Sequence, residues 1–166
     1  MATGMEPRLN PKVKGGRRRV DSVAEDGTAR TARERMVQEQ IVARGLTDER
    51  VLAAMRTVPR HEFVPSATIA EAYVDSPLSI GFGQTISQPY MVAYMSEQLT
   101  CFPTGAKVLE LGTGSGYQAA VLVNMGFEVH TIERIPELAD SARATLYRLG
   151  LSPSSLNVAD GHAGWP

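Results

Sequence analysis

Three glycines at alternate positions, Gly112, Gly114 and Gly116, follow residues 108–111, an apolar run that predicts a buried strand and carries one acid, Glu110. Glycine has no Cβ, so the main chain can adopt a positive φ and a ligand can approach it closely. The helix predicted to start after the glycines directs its first main-chain N–H groups toward the same loop. A strand, a glycine loop and a helix start are therefore predicted to form a nucleotide-binding corner.

The spacing of the glycines distinguishes a dinucleotide-binding loop from a loop that binds S-adenosylmethionine. A dinucleotide fingerprint of the form G-x-G-x-x-G would need a glycine where Tyr117 stands. The acid Glu110 followed by alternating glycines instead resembles motif I of the class I S-adenosylmethionine-dependent methyltransferases. A cationic sulfonium tolerates a nearby carboxylate, whereas a pyrophosphate favours an open helix N-terminus. The alternative interpretation is a glycine-rich loop that binds no ligand.

Two further acids lie at the C-terminal ends of predicted strands. Glu133 ends a strand predicted at residues 128–133 and lies 21 residues beyond Gly112, a distance that suits a carboxylate binding two ribose hydroxyls. The alternative is a strand-end acid that caps the next helix. Asp160 and Gly161 end the third predicted strand, where an acid can accept a hydrogen bond from an adenine amino group. An Asp-Gly pair alone also signals an ordinary turn.

Hydrophobic periodicity predicts the elements that position these residues. A first helix is expected to open at Thr31, which has capping-box spacing to Glu34, and to end at Gly45. A second helix is expected to start at Thr47 or Asp48. Three apolar strands then alternate with helices, which is typical of an α/β fold with a parallel sheet; the strands are predicted at residues 108–111, 128–133 and 156–160.

Length and composition limit the class of protein. A chain of 166 residues allows one domain with an appendage, and 43% hydrophobic and 21% charged residues are ordinary for a soluble globular protein. The net charge of -1 gives the whole molecule no electrostatic footprint for nucleic acid. No apolar run approaches the length that spans a bilayer, and no secretory segment is recognised. The single cysteine, Cys101, excludes an internal disulfide, so we expect a cytoplasmic protein.

The first 30 residues differ in composition from the rest. Up to Arg35 the chain has nine Lys or Arg and five Asp or Glu, and the basic residues concentrate in residues 12–19. This tail is either a solvated extension or a contact for RNA or an acidic surface. We therefore predict a tail at 1–30, a helical, substrate-side region at 31–104, and the first half of a cofactor-binding domain at 105–166.

The most specific pattern lies in residues 75–90, which contain Gly-Phe-Gly-Gln-Thr-Ile-Ser-Gln-Pro. With residues 108–118 and 160–166, this segment resembles the protein-L-isoaspartate O-methyltransferases, from about Arg33 to Pro166. The resemblance implies methyl transfer from S-adenosylmethionine to the α-carboxylate of L-isoaspartyl residues, which initiates repair of damaged proteins. It implies an active-site role for Ser87, and we expect Thr85 to help orient the carboxylate. It also implies that the glycine motif, Glu133 and the Asp-Gly pair hold the cofactor; no metal site is predicted.

The resemblance implies a Rossmann-like α/β fold with an N-terminal helical subdomain. In the family, the sheet continues with a fourth strand and further elements after the segment that matches Gly164–Pro166, so we expect a C-terminally truncated chain with three strands. The first strand would then have an open, apolar edge through which chains could associate. Isoaspartyl peptides and proteins are the expected partners. The alternatives are an inactive cofactor-binding fragment that needs its missing C-terminal half or a partner, and a basic-tailed nucleic-acid or interaction module.

Overall fold

The computed structural model describes residues 27–164, and the basic run at residues 12–19 lies outside this range. No helix within it is long and apolar enough to cross a membrane. The described residues contain six α-helices and five strands, in the order α1 (Gly27–Met36), α2 (Glu49–Thr57), α3 (Ile69–Ala72), β1 (Leu78–Gly81), β2 (Gln84–Ile86), α4 (Pro89–Glu97), β3 (Lys107–Leu111), α5 (Tyr117–Asn124), β4 (Glu128–Glu133), α6 (Pro136–Leu149) and β5 (Ser155–Val158).

The predicted α/β fold is confirmed. Strands β3, β4 and β5 form a parallel sheet in that order, and helices α5 and α6 make the two crossovers. Parallel pairing places Glu110 beside Thr131 and Glu133 beside Val158. The bounds predicted for β4 are confirmed, but β5 ends at Val158, so Asp160 follows the strand instead of ending it.

Strand β3 lies at the edge of the sheet, with β4 as its only neighbour among the described residues. The prediction of a buried β3 is wrong, because Leu109 and Leu111 are 44% and 59% exposed. Only the alternate residues, Val108 and Glu110, are half-buried. Within the described part of the chain, the predicted open apolar edge is therefore present.

The start predicted for the first helix is wrong. Helix α1 already includes Gly27, and the Thr31 hydroxyl donates to the Gly27 carbonyl at 2.9 Å from inside the helix. A threonine that bonds back to the preceding turn cannot cap the helix start. The helix continues through a π-turn and a 3₁₀ turn to Gly45, whose left-handed φ of 89° ends it as predicted.

Helix α2 starts where the sequence predicted. The Asp48 carboxylate caps it by accepting hydrogen bonds from the N–H groups of Arg50 at 2.9 Å and Val51 at 3.3 Å. The apolar face of α2 packs against α4 and α5, so the helical region and the sheet share one core; the α2 residues buried there are Val51, Leu52, Ala54 and Met55.

Tyr117 ties the helical region to the first crossover helix. Its ring is 1% exposed, meets Phe63 edge-on at 5.4 Å and lies 5.0 Å from the buried guanidinium of Arg60. Its hydroxyl donates to the Met55 sulfur at 3.9 Å. The side chain that breaks the dinucleotide spacing therefore serves as a core residue, and it anchors the helix that follows the glycine loop.

Candidate functional site

The predicted Thr-Ile-Ser segment begins on a β-hairpin. Strands β1 and β2 pair antiparallel, with Ser79 opposite Thr85. Their two-residue turn, Phe82-Gly83, has φ values of 53° and 69°. Positive φ at both positions suits the twist of a hairpin, although a phenylalanine rarely adopts it. The turn returns the chain so that Thr85 faces the glycine loop and Ser87 follows immediately after β2.

Helix α4 begins two residues after Ser87, and its first turn is capped by Asp75, which lies 15 residues before Tyr90 in the sequence. Its N-cap residue, Gln88, makes no side-chain cap, and Pro89 occupies the first turn, where proline is favoured. The Asp75 carboxylate accepts a hydrogen bond from the Tyr90 N–H at 3.2 Å and forms an ion pair with Arg44 at 2.7 Å. Asp75 therefore fixes the chain direction just after Ser87.

A cavity of about 380 Å³ lies at the carboxyl ends of the strands. This is where open α/β sheets bind ligands. The cavity brings together six of the nine site residues predicted from sequence, namely Thr85, Gly112, Gly114, Glu133, Asp160 and Gly161.

A smaller cavity of about 60 Å³ adjoins it and contains Ser87 and Glu110. Thr85, Gly112 and Gly114 line both cavities, so the predicted catalytic and cofactor residues meet around one glycine loop. Gln118, whose role sequence reasoning missed, lines the smaller cavity. Its amide nitrogen donates to Ser96 at 2.9 Å, while its buried oxygen has no hydrogen-bond partner among the described residues.

The glycine loop is held by internal hydrogen bonds. The Gly112 N–H donates to the Ile132 carbonyl at 2.8 Å, and the Gly114 N–H donates to the Glu133 carboxylate at 2.8 Å. Gly112 has a φ of 87°, and a Cβ built there would meet nothing within 4 Å, so its main chain is open to a ligand.

Gly116 differs from the other two glycines, since it lines neither cavity. A Cβ at this position would lie 2.9 Å from the Leu146 Cδ1 on α6. The structure thus gives Gly116 a packing role between the two crossover helices, and its predicted contact with a cofactor stays a prediction.

The Glu133 carboxylate joins three parts of the site. It is 5% exposed; one oxygen accepts from Gly114 and the other accepts from the Ile135 N–H at 3.0 Å, at the start of α6. The contact with Ile135 agrees with the capping alternative. Glu133 also lines the larger cavity, where its ribose contact stays a prediction.

Glu110 lies at the end of a chain of hydroxyl groups. The Thr131 hydroxyl donates to its carboxylate at 2.6 Å, and the Thr113 hydroxyl lies 2.7 Å from that of Thr131. Burial raises the pKa of Glu110 to about 7; the Thr131 hydrogen bond opposes this rise and the charge of Glu133 adds to it. Sequence reasoning missed both threonines, although the parallel pairing of the two strands would have placed Thr131 beside Glu110.

Asp160 forms the far wall of the larger cavity. Its exposed carboxylate accepts a hydrogen bond from the His162 N–H at 3.0 Å and caps a 3₁₀ turn. This contact agrees with the alternative interpretation of the Asp-Gly pair as an ordinary turn. Gly161 packs against β3, because a Cβ there would lie 3.1 Å from the Leu111 side chain. Both residues remain accessible to a ligand, and their cofactor contacts stay predictions.

Comparisons with known proteins agree with this geometry. The family model described as Protein-L-isoaspartate(D-aspartate) O-methyltransferase (PCMT) matches residues 31–166. A relative from Methylorubrum extorquens (strain PA1), named Protein-L-isoaspartate O-methyltransferase, is 59% identical over 135 residues, which cover 81% of this chain and 58% of that protein. The chain spans less than two thirds of the length of the curated relatives that it matches first.

Two solved structures resemble the fold. One, a protein-L-isoaspartate O-methyltransferase, has a TM-score of 0.70 and 28% identity, and the match covers 81% of this chain and 44% of that one. The other is a putative protein-L-isoaspartate O-methyltransferase from Plasmodium falciparum in complex with S-adenosyl-L-homocysteine. It has a TM-score of 0.62 and 23% identity over 80% of this chain and 63% of its own, and at that identity the likeness shows the fold alone.

Proposed function

This chain belongs to the protein-L-isoaspartate(D-aspartate) O-methyltransferase family, and we propose that it performs methyl transfer from S-adenosylmethionine to the α-carboxylate of L-isoaspartyl residues in damaged proteins. One observation carries the proposal. The Thr-Ile-Ser segment, the most specific part of the resemblance, and the acidic glycine loop, typical of class I methyltransferases, meet at adjoining cavities on the carboxyl edge of the sheet.

The residues around these cavities fit S-adenosylmethionine. The buried oxygen of Gln118 lacks a partner among the described residues, and a cationic ammonium group would supply one. Glu110 adds a carboxylate on the same side, where a positive charge is favoured. Gly112 leaves room for close approach to the main chain, while Glu133 and Asp160 offer acceptors for hydroxyl and amino groups. The cofactor would bind across both cavities with Thr85 at their junction.

The reaction needs no strong base from the protein. An α-carboxyl group has a pKa of roughly 3.5, so the substrate carboxylate is already ionised near neutral pH. S-Adenosylmethionine would supply a methyl group on a cationic sulfur, and the sulfur would keep the electron pair of the carbon–sulfur bond when a carboxylate oxygen takes the methyl group. Ser87 donates a hydrogen bond to the carboxylate and Thr85 helps to orient it. Alignment of this kind can supply roughly 7–11 kcal/mol.

The test is transfer of a labelled methyl group to two peptides that differ only in isoaspartate or aspartate at one site. We expect transfer to the isoaspartyl peptide alone, and a loss of about 100-fold in Ser87→Ala, the usual order for removing one oriented donor. Ser152→Ala, an exposed serine in the turn after α6, should retain the wild-type rate.

Two results would contradict the proposal: equal transfer to both peptides, or an unchanged rate in Ser87→Ala. If a folded chain binds S-adenosylmethionine but transfers no methyl group, the alternative of a cofactor-binding fragment that needs a partner would be favoured instead.

We also propose that two chains associate along β3. Its unpaired edge offers main-chain hydrogen bonds beside the exposed Leu109 and Leu111, which together form a template for another strand. Sedimentation across a wide concentration range should show a dimer that Leu109→Lys abolishes. Tyr147→Lys, at an 81% exposed position on α6, should leave it intact. A monomer at every concentration would refute this association.

A further inference from the structure

Two buried threonine hydroxyls connect the glycine loop to Glu110. Thr131 is completely buried in the middle of β4, and Thr113, on the loop, is 4% exposed. The Thr131 hydroxyl lies 2.7 Å from Thr113 and 2.6 Å from the Glu110 carboxylate. Both distances are those of good O–H···O hydrogen bonds.

When Glu110 is ionised, the number of available protons fixes the direction in which the two hydrogen bonds among Thr113, Thr131 and Glu110 are donated. A carboxylate can only accept, so Thr131 must use its single proton to donate to Glu110. The proton between the two hydroxyls then has to come from Thr113. A protonated Glu110 could instead donate to Thr131 and reverse both bonds. The arrangement therefore couples the orientation of two buried hydroxyls to the protonation state of one carboxyl group.

We infer that Thr131, held in place by Thr113, is a positioning residue that aims Glu110 into the smaller cavity and favours its ionised form for a cationic ligand. The inference rests on the proposed function, because the cationic ligand is S-adenosylmethionine. Thr131 itself reaches neither cavity. It acts on the ligand only through Glu110.

Apart from Thr131, the described groups around Glu110 do not favour its ionised form. Burial disfavours the charge of Glu110, and Glu133, at the end of the neighbouring strand, repels it further. Helix α5 contributes Gln118 and Tyr117, and the Tyr117 hydroxyl is engaged with a methionine sulfur. No lysine or arginine is found among the described residues that line the smaller cavity. The Thr131 hydroxyl is therefore the group that opposes protonation of Glu110.

A matched pair of variants tests the role of the hydroxyl. Thr131→Val removes it and keeps the shape of the side chain, whereas Thr131→Ser keeps it and removes a methyl group. The pKa of Glu110 is read from a carbon-13 NMR titration of its carboxyl group, assigned by the loss of that signal in Glu110→Gln. We expect the valine variant to raise it by about one unit, the value of one hydrogen bond to a charged group. The serine variant should titrate like the wild type, and a valine variant that does so would overturn the inference.

Calorimetric binding of S-adenosylmethionine gives a second readout. With the pKa of Glu110 raised from about 7 to roughly 8, the ionised fraction near pH 7.5 falls about threefold, and so should the affinity of Thr131→Val. Near pH 9 the variant and the wild type should converge. An equal loss at both pH values in a folded variant would show a purely structural effect and overturn the inference. If the wild type binds no S-adenosylmethionine, the proposed function fails, while the NMR titration still decides what Thr131 does.

Discussion

Replacing Glu110 by glutamine should stabilise the folded chain at high pH. The pKa of this carboxyl is about 7 in the fold against an ordinary value of 4.5, and burial is the main cause. A carboxyl whose pKa is raised by folding contributes its full stability below its unfolded pKa and loses it as the pH rises through the folded pKa. The difference between the two values converts to ~3 kcal/mol, which partial exposure to solvent reduces to ~2 kcal/mol.

The Glu110→Gln variant isolates this effect, because the amide oxygen can still accept the hydrogen bond from Thr131 and carries no charge. The free energy of unfolding of the variant, relative to wild type, should therefore grow by ~2 kcal/mol between about pH 4 and pH 8. Most of this change should occur between pH 4.5 and about 7, the two pKa values of the carboxyl.

Urea unfolding of the full chain, followed by circular dichroism at a series of pH values, measures this difference. Glu39→Gln serves as the control, since Glu39 is exposed and its ion pair with Arg35 is a surface pair of little energetic value. Its stability difference from wild type should vary by less than ~0.5 kcal/mol with pH. A stability difference between Glu110→Gln and wild type that does not change with pH would show that folding does not raise the pKa of Glu110.

Four further substitutions test the packing and the caps around the site. Gly116→Ala should lower the free energy of unfolding by ~2–4 kcal/mol, because its Cβ would lie 2.9 Å from Leu146 at a φ of 88°, whereas Gly112→Ala has open space and should lose only ~1–2 kcal/mol. Equal shifts of the two melting curves would refute the packing argument. Asp48→Ala removes the N-cap of α2 and should lower the free energy of unfolding in urea by ~1 kcal/mol. An unchanged value would show that the cap does not stabilise the fold. Asp75→Asn weakens the charged cap of α4 and should lower the free energy of unfolding by ~1 kcal/mol in the same assay. The methyl-transfer rate should also fall; an unchanged rate would show that Asp75 does not position the start of α4.

The sequence is sufficient to predict how the site residues are gathered. Glu133 ends β4 and Gly112 follows β3, and parallel strands that connect through helices end at the same edge of the sheet. Apolar periodicity and local turn chemistry encode these elements, as at Asp48 and Gly45. Both signals depend on residues a few positions apart, which is why a single sequence reveals them.

The parts of the site that sequence could not predict depend on contacts between distant segments. Asp75 caps α4 from 15 residues away, and Thr131 reaches Glu110 across 21. The exposure of Leu109 likewise follows from which strands stand beside β3, not from the strand's own composition. Gly116 shows the same limit, since its motif predicts ligand binding while its neighbour on α6 gives it a packing role.

The Glu110 carboxylate beside the glycine loop implies that the smaller cavity prefers a cationic ligand, and that this preference depends on pH. Glu110, Glu133 and Asp160 line the two adjoining cavities, and the described lining of the smaller one contains no lysine or arginine. S-Adenosylmethionine and S-adenosylhomocysteine share their nucleoside and amino-acid groups but differ in the charge on sulfur. As the pH rises through about 7, Glu110 becomes ionised, so the ratio of the two affinities should shift toward the cation by up to about tenfold, or ~1.4 kcal/mol. Calorimetry with both ligands measures that ratio, and Glu110→Gln should flatten its pH profile. A ratio that does not change with pH in the wild type would show that Glu110 does not sense the sulfur charge.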